Sequence, residues 1–149
     1  MSIVNSVSTY TGVGNELYTS VNVVLSGTAQ QTKTVPATGS FSPAVNRGYW
    51  RCKVYNGGGT SPTLTDLTVN GYDGTNTVVV DNFHPGTAST LSATAYVDVL
   101  SDFLFDYTTA GGGASGSLLQ YGATVLQFLT TMGGTSPTAT ADYEVAAQP

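Results

Sequence analysis

His84 is the single histidine of the chain and the first candidate for acid–base chemistry. A catalytic triad needs a nucleophile, a base within hydrogen-bond reach of it, and an acid that orients the base. Asp81 is near in the sequence and serines are abundant, but no nucleophile elbow surrounds them. Pro85 follows His84, and the residue before a proline is pushed to an extended conformation. We therefore interpret His84 as a turn residue, and His84 with Cys52 also supplies too few ligands for zinc.

Asp98, Asp102 and Asp106 are spaced by four residues and are the next candidates. The residues between them alternate as on a β-strand, and on a strand an even spacing puts all three carboxylates on one face. A glycosidase pair would need one carboxyl group with a raised pKa and a groove for the substrate. A calcium site would need about six to eight oxygen atoms from more than one segment. We interpret the three residues as the solvent-facing side of a half-buried strand.

Residues 70–74, with the sequence Asn-Gly-Tyr-Asp-Gly, are rich in oxygen atoms and include Asp73 as a possible calcium ligand. The segment lacks the acidic density and the terminal Glu of an EF-hand loop, and it has the composition of a tight hairpin turn. The glycines at 111–113 lack the spacing and the following Lys of a phosphate-binding loop. We therefore predict no catalytic, cofactor-binding or metal-binding residues, and a protein that is not an enzyme.

Nine tyrosines and Trp50 are the remaining candidates, because aromatic rings stack on sugar rings and tyrosine hydroxyls donate hydrogen bonds. Aromatic residues at strand ends serve equally well in protein interfaces, so the sequence leaves both functions open. The tyrosines that lie near predicted strand ends or loops are mainly Tyr10, Tyr18, Tyr49, Tyr55, Tyr72, Tyr107 and Tyr121.

Charged residues make up only 9% of the chain, and its formal net charge is −5. The four cations are too few for a nucleic-acid binder, which neutralises phosphates with Lys and Arg, and too few for a polybasic membrane contact. They are Lys33, Arg47, Arg51 and Lys53.

Cys52 is the only cysteine, which excludes an intrachain disulfide, and its position in line with Trp50 and Val54 predicts a buried small hydrophobe. The first residues lack the basic and apolar regions of a secretory signal, and no apolar run reaches membrane-spanning length. We therefore expect synthesis in the cytoplasm without a signal peptide.

Alternating apolar and polar residues, interrupted by Gly or Pro at short intervals, predict β-strands throughout and are typical of a sandwich or barrel. The segment 38–46 is expected to be a loop, and 89–107 to be two strands or one long bent strand. The predicted strands are 17–25, 30–35, 48–55, 63–69, 75–81, 89–99, 102–107, 117–131 and 138–145.

The sequence Gly-Gly-Thr-Ser-Pro-Thr occurs at residues 58–63 and again at 133–138, an offset of 75 residues. Gly supplies positive φ and Pro fixes φ without donating a hydrogen bond, so both copies are expected to be hairpin connections. Two equivalent hairpins suggest a pseudo-symmetric sandwich that arose by duplication, and the alternative is that a Gly/Thr-rich chain reuses a common turn by chance.

The stretch from Phe103 onward has an apolar strand, a Gly-Thr-Ser-Pro-Thr turn and an alternating strand that ends in Glu144-Val145. It resembles the β-sandwich accessory proteins of tailed-bacteriophage particles, such as capsid decoration (cement) proteins. With both copies of the turn, the resemblance covers about half of the chain. It implies many copies, often as trimers, bound to the major capsid protein lattice and stabilising the shell. No capsid-binding arm is recognisable as such, and residues 2–14 are the candidate for one.

We therefore predict an all-β protein: an N-terminal arm or extended segment at 1–15, and a single antiparallel, jelly-roll-like β-sandwich at 16–149. Its predicted function is that of a virion structural protein, a homo-oligomeric capsid decoration protein without nucleic-acid, membrane or cofactor contacts. The alternatives are a phage tail tube, fibre or receptor-binding protein, and a carbohydrate-binding module.

Overall fold

A computed structural model of the chain describes residues 16–41, 44–56, 62–83, 89–92, 94–104 and 122–148. These residues form β-strands joined by turns and loops, as the Val-, Thr- and Tyr-rich alternation predicts. Within the same ranges, no helix is long and apolar enough to cross a membrane. The strands are β1 (Glu16–Ser26), β2 (Gln31–Val35), β3 (Arg47–Tyr55), β4 (Thr63–Tyr72), β5 (Thr77–Phe83), β6 (Ser89–Thr90), β7 (Val97–Leu104), β8 (Val125–Gly133) and β9 (Thr138–Gln148).

The strands form two antiparallel sheets. Sheet A has the order β1-β9-β3-β7, and sheet B has the order β2-β8-β4-β5, with the short β6 also paired to β4. Apolar side chains from both sheets form one core between them. This strand order is that of a jelly roll, and it confirms the prediction of an antiparallel, jelly-roll-like β-sandwich.

The centre of the core is an aromatic cluster that joins the two sheets. Phe128 on β8 contacts Trp50 on β3 edge-on, with ring centroids 6.0 Å apart, and Tyr143 on β9 at 4.8 Å. The Tyr143 hydroxyl is satisfied by a hydrogen bond of 3.0 Å to Thr130 Oγ1, and burial raises its pKa. Cys52 lies buried on the same face of β3 as Trp50, as predicted, and burial raises the pKa of its thiol well above the usual range.

The repeated hexapeptide occupies equivalent places in the two halves of the fold. Exchanging β1 with β5, β2 with β7, β3 with β8 and β4 with β9 converts the strand order of sheet A into that of sheet B. The first copy lies between β3 and β4 and the second between β8 and β9, so the pseudo-symmetry expected from the repeat is present in the topology.

The prediction that both copies are hairpins is wrong, because each joins a strand of one sheet to a strand of the other. Residues 58–61 of the first copy lie outside the described residues. The two connections lie side by side, since Thr63 pairs with Gly133 across β4 and β8. Their prolines accept backbone hydrogen bonds from neighbouring segments: Leu91 N donates to Pro62 O at 2.8 Å, and Gly27 N donates to Pro137 O at 2.9 Å.

Two further strand predictions need correction. A register shift between Leu64 and Asp66 breaks the alternation of β4, so that Leu64 and Leu67 both face the core instead of opposite sides. In the segment 89–107, β7 is continuous through residues 100–101, and the break comes earlier. There Ser92 and Ala95 form a turn, with Ser92 N donating to Ala95 O at 2.5 Å and Ala95 N donating to Ser92 Oγ at 2.7 Å.

Several predicted features fall outside the described residues. They are the N-terminal segment 1–15 with its candidate arm 2–14, the glycines at 111–113, residues 105–107 and the first residues of the predicted strand 117–131.

Replacing Phe128 by Ala removes the ring that links Trp50 to Tyr143, and we expect this to lower the free energy of unfolding by about 3–5 kcal/mol. The matched control is Val79→Ala on β5, where the side chain is 58% exposed and the expected change is within about 0.5 kcal/mol. Urea unfolding followed by tryptophan fluorescence measures both. Similar losses in the two variants would contradict the placement of the core.

Candidate binding face on sheet A

The outer face of sheet A is the side that points away from the core. Trp50, Cys52 and Val54 point inward from β3, so the alternate residues of β3 and their cross-strand partners point outward. This face consists of Arg47, Tyr49, Arg51, Lys53 and Tyr55 on β3, Thr140, Asp142, Glu144 and Ala146 on β9, Asp98, Leu100, Asp102 and Leu104 on β7, and Leu17, Thr19 and Val24 on β1.

Charge is concentrated on this face although the chain has little of it. Three of the four cations and four of the nine acidic residues lie there. Several are buried: the exposed fractions are 6% for Lys53, 0% for Asp142 and 5% for Glu144. We call Arg51, Lys53, Asp98, Asp142 and Glu144 the charged cluster. Buried charges cost desolvation energy, and apolar replacements are often neutral or stabilising. The burial of these charges is therefore weak evidence that the cluster stabilises the fold.

Arg51 and Asp98 form a bidentate ion pair across β3 and β7. Arg51 Nε donates to Asp98 Oδ1 at 2.8 Å, and Arg51 Nη2 donates to Asp98 Oδ2 at 2.5 Å. Two parallel hydrogen bonds fix both side chains in one plane. The hydrogen bonds to Asp98 raise the pKa of the Arg51 guanidinium, with a smaller contribution from the charge of Glu144.

Lys53 is held by aromatic rings and lies between two acidic positions. Its Cα partners are Asp98 on β7 and Asp142 on β9. Its ammonium nitrogen lies 4.3 Å from the ring centroid of Tyr96 and 5.5 Å from that of Tyr55, which are cation–π distances. Tyr96 is 49% exposed, so it presents aromatic surface to solvent beside the charged cluster.

Asp142 has one carboxylate oxygen that is satisfied and one that is not. The register of β1 shifts between Ser20 and Val23, and Asn22 in this irregularity has φ of 57°. Asn22 N donates to Asp142 Oδ1 at 2.7 Å, and Tyr55 OH donates to Asn22 Oδ1 at 3.4 Å. Asp142 Oδ2 is buried and has no hydrogen-bond partner in the described part of the chain. A buried oxygen atom without a hydrogen bond is energetically unfavourable, and a hydrogen bond donated to it would remove that cost.

The acidic residues noted in the sequence divide between this face and the undescribed residues. Asp98 and Asp102 share the outer face of β7 as predicted, with Leu100 and Leu104 exposed between and beyond them. Asp106 and His84 lie outside the described residues. Within the described ranges, no group of three or more His, Cys, Asp or Glu residues is placed to hold a metal ion.

Asp73 organises the turn between β4 and β5, which confirms the hairpin predicted there. Its Oδ1 accepts hydrogen bonds from Thr75 N at 2.8 Å and from Asn76 N at 2.6 Å, and Gly74 has φ of 100°. The hydrogen bond from Asn76 N is the largest cause of the lowered pKa of this carboxyl group. The carboxylate therefore closes an Asx-type turn.

Three residues of the site were not singled out by sequence reasoning: Asp142, Glu144 and Tyr96. The sequence did contain one indication of Asp142 and Glu144. Two acidic residues that alternate with apolar residues on a predicted strand are unusual in a chain that has few charges. Tyr96 lies just before β7, and its contact with Lys53 depends on the pairing of β7 with β3. That pairing cannot be read from local sequence.

No protein-family model matches the chain, and no curated protein matches it. Among solved structures it is similar to the CBM22-1 xylan-binding domain of Xyn10C from Paenibacillus barcinonensis, with a TM-score of 0.40 and 10% sequence identity. The similarity covers 85% of this chain and 86% of that chain. A similarity this distant carries no information about function, which has to be inferred from the residues of the outer face themselves.

A double-mutant cycle on Arg51→Ala and Asp98→Ala should give a coupling energy of about 0.5–1 kcal/mol at low salt, because the bidentate pair is partly exposed. In ~1 M salt the coupling should become smaller through screening. Chemical unfolding of the four proteins measures it. A coupling energy of zero at low salt would contradict the expected stabilisation by this pair.

Asp73→Asn should change how stability depends on pH. The folded-state pKa of Asp73 is lowered, so the ionised carboxylate stabilises the fold above the unfolded pKa of about 4 and this contribution is lost as the pH falls through the folded pKa. The stability of the native sequence relative to Asp73→Asn should therefore decrease from pH 7 to pH 2. Urea unfolding across this range measures it, and a constant difference would contradict the assignment.

Proposed function

We propose that the outer face of sheet A binds carbohydrate and that the protein is a carbohydrate-binding domain. The observation that carries the proposal is the charged cluster, largely buried in a chain that has few charges, beside the exposed ring of Tyr96. This combination of fixed polar groups and an aromatic surface matches the two chemistries of a sugar.

A sugar ring presents C–H groups that pack on aromatic faces and hydroxyls that both donate and accept hydrogen bonds. Tyr96 supplies the aromatic surface, while Arg51, Asp98 and Lys53 supply donors and acceptors. The ion pair and the cation–π contact already hold these side chains in place, so little side-chain entropy is lost on binding. Arg51 and Lys53 on β3 and Asp98 on β7 also lie on paired strands, which makes their geometry rigid.

The arrangement of polar and apolar residues differs from that of a protein interface. Protein interfaces have a core depleted in charge and a polar rim. On the outer face of sheet A, the middle strands β3 and β9 carry most of the charges, and the edge strands carry exposed apolar side chains. These exposed residues are Leu17 and Val24 on β1, and Leu100 and Leu104 on β7.

The capsid decoration role stays a prediction, as do the homo-oligomer and the virion location. Jelly rolls occur both in viral capsid proteins and in lectins, so the fold favours neither function over the other. The charged cluster favours the carbohydrate-binding alternative.

Tyr96→Ala should weaken glycan binding by about tenfold, because a stacked ring contributes ~1 kcal/mol or more beyond simple contact. The control is Tyr72→Ala, which removes a ring from the outside of sheet B and should leave affinity unchanged. A glycan array identifies a ligand, calorimetry measures the affinities, and thermal melts confirm that each variant is folded. If the native protein binds no glycan, or if both variants lose affinity equally, the proposal is wrong.

A further inference from the structure

A row of exposed side chains follows the outer side of β7, at the edge of sheet A. Tyr96 belongs to it, because its ring lies over the Lys53 ammonium on the same face of the sheet. The other members occupy alternate positions of the strand and therefore point to one side. We call the set the β7 row, and it consists of Tyr96, Asp98, Leu100, Asp102 and Leu104, all of them exposed.

The β7 row is long and is accessible at both ends. From Asp98 to Leu104 it extends over about 20 Å at the rise of a β-strand, and Tyr96 lengthens it further. Tyr96 is 49% exposed and Leu104 is 69% exposed, so a ligand can continue past either end. A single sugar ring is much shorter than this row, which has room for several successive sugars.

The side chains of the β7 row alternate between two kinds of contact that a sugar can make. The Tyr96 ring and the leucine side chains can pack against C–H groups, and the carboxylates can accept hydrogen bonds from hydroxyls. Asp98 keeps this capacity beside Arg51. Its carboxylate has about four acceptor sites, the guanidinium donates to each oxygen once, and 24% of the side chain is exposed.

The row is also held straight, because β7 pairs with β3 along its whole length. Side chains on paired strands keep a fixed spacing, and the same two kinds of contact recur along the row. A ligand whose C–H groups and hydroxyls also recur at regular intervals can meet several members of the row at once. The repeating unit of a linear polysaccharide has this property.

We infer that the ligand is an extended, unbranched polysaccharide that lies along β7 and contacts the β7 row through several successive sugars. This inference rests on the carbohydrate-binding function proposed above and names the class of carbohydrate. Each contact is exposed and weak, so affinity comes from making several of them together. Affinity therefore rises with the number of sugars until the row from Tyr96 to Leu104 is filled.

The experiment uses calorimetry to compare disaccharides with hexasaccharides of β-linked glucose and of β-linked mannose, each binding to the full chain. In at least one series the hexasaccharide should bind about tenfold or more tightly than the disaccharide, because it reaches more of the row. Leu104→Ala should weaken binding of that hexasaccharide about threefold by removing an apolar contact far from Tyr96. Binding of the disaccharide, which depends on Tyr96, should not change.

The matched control is Val79→Ala, which truncates a similarly exposed apolar side chain on β5 of sheet B. It should leave the affinities for both oligosaccharides unchanged, and thermal melts establish that each variant is folded. The Leu104 variant is needed beside the length series, since a hexasaccharide also offers a short site more than one place to bind. That statistical advantage would not depend on Leu104.

Equal affinities for the disaccharide and the hexasaccharide in both series would overturn this inference and leave the carbohydrate-binding function standing. Hexasaccharide binding that is insensitive to Leu104→Ala, or equally sensitive to Val79→Ala, would have the same meaning, because the ligand would then not lie along β7. Failure of the native protein to bind these oligosaccharides or any glycan on an array would overturn both.

Discussion

The contact of Phe128 with Trp50 and Tyr143 joins sheet B to the two middle strands of sheet A, and the rest of the molecule depends on it. Side chains alternate along a strand, so a ring that must point inward determines where its neighbours point. With Trp50 and Tyr143 in the core, Arg51 and Glu144 are directed to the opposite side. A shift of one residue in either strand would place charges between the sheets. The packing that stabilises the sandwich is thus also what directs the charged cluster to the outer face of sheet A.

Placing these charges there has an energetic cost, because several of them are buried. Lys53, Asp142 and Glu144 lose most of their hydration when they are buried, which costs free energy. The large apolar core helps to offset that cost. Charged residues make up only 9% of the chain, so their concentration on one face of sheet A departs from its overall composition.

Local sequence patterns were sufficient to predict many of the strands and turns of the fold. The alternation around Trp50 predicted β3 and the burial of Cys52, and the turn chemistry of Asp73 and Gly74 predicted the β4–β5 hairpin. Even spacing placed Asp98 and Asp102 on one face. The remaining features depend on pairing between distant strands. Whether a Gly-Thr-Ser-Pro turn joins strands within a sheet or between sheets is decided by tertiary packing, and so are the register shift in β4 and the meeting of Tyr96 with Lys53.

The reactivity of the Cys52 thiol can be used to measure how often sheet A separates from the core. It is the only thiol, it is fully buried, and β3 is flanked on both sides by paired strands. A thiol reagent therefore reacts only with molecules in which sheet A has separated from the core, and the raised pKa suppresses reaction in the closed state. When closing is fast relative to labelling, the rate of modification under native conditions reports the equilibrium of that opening. The kinetics of one covalent reaction would then follow the integrity of sheet A, which carries the charged cluster, without any probe being added to the sequence.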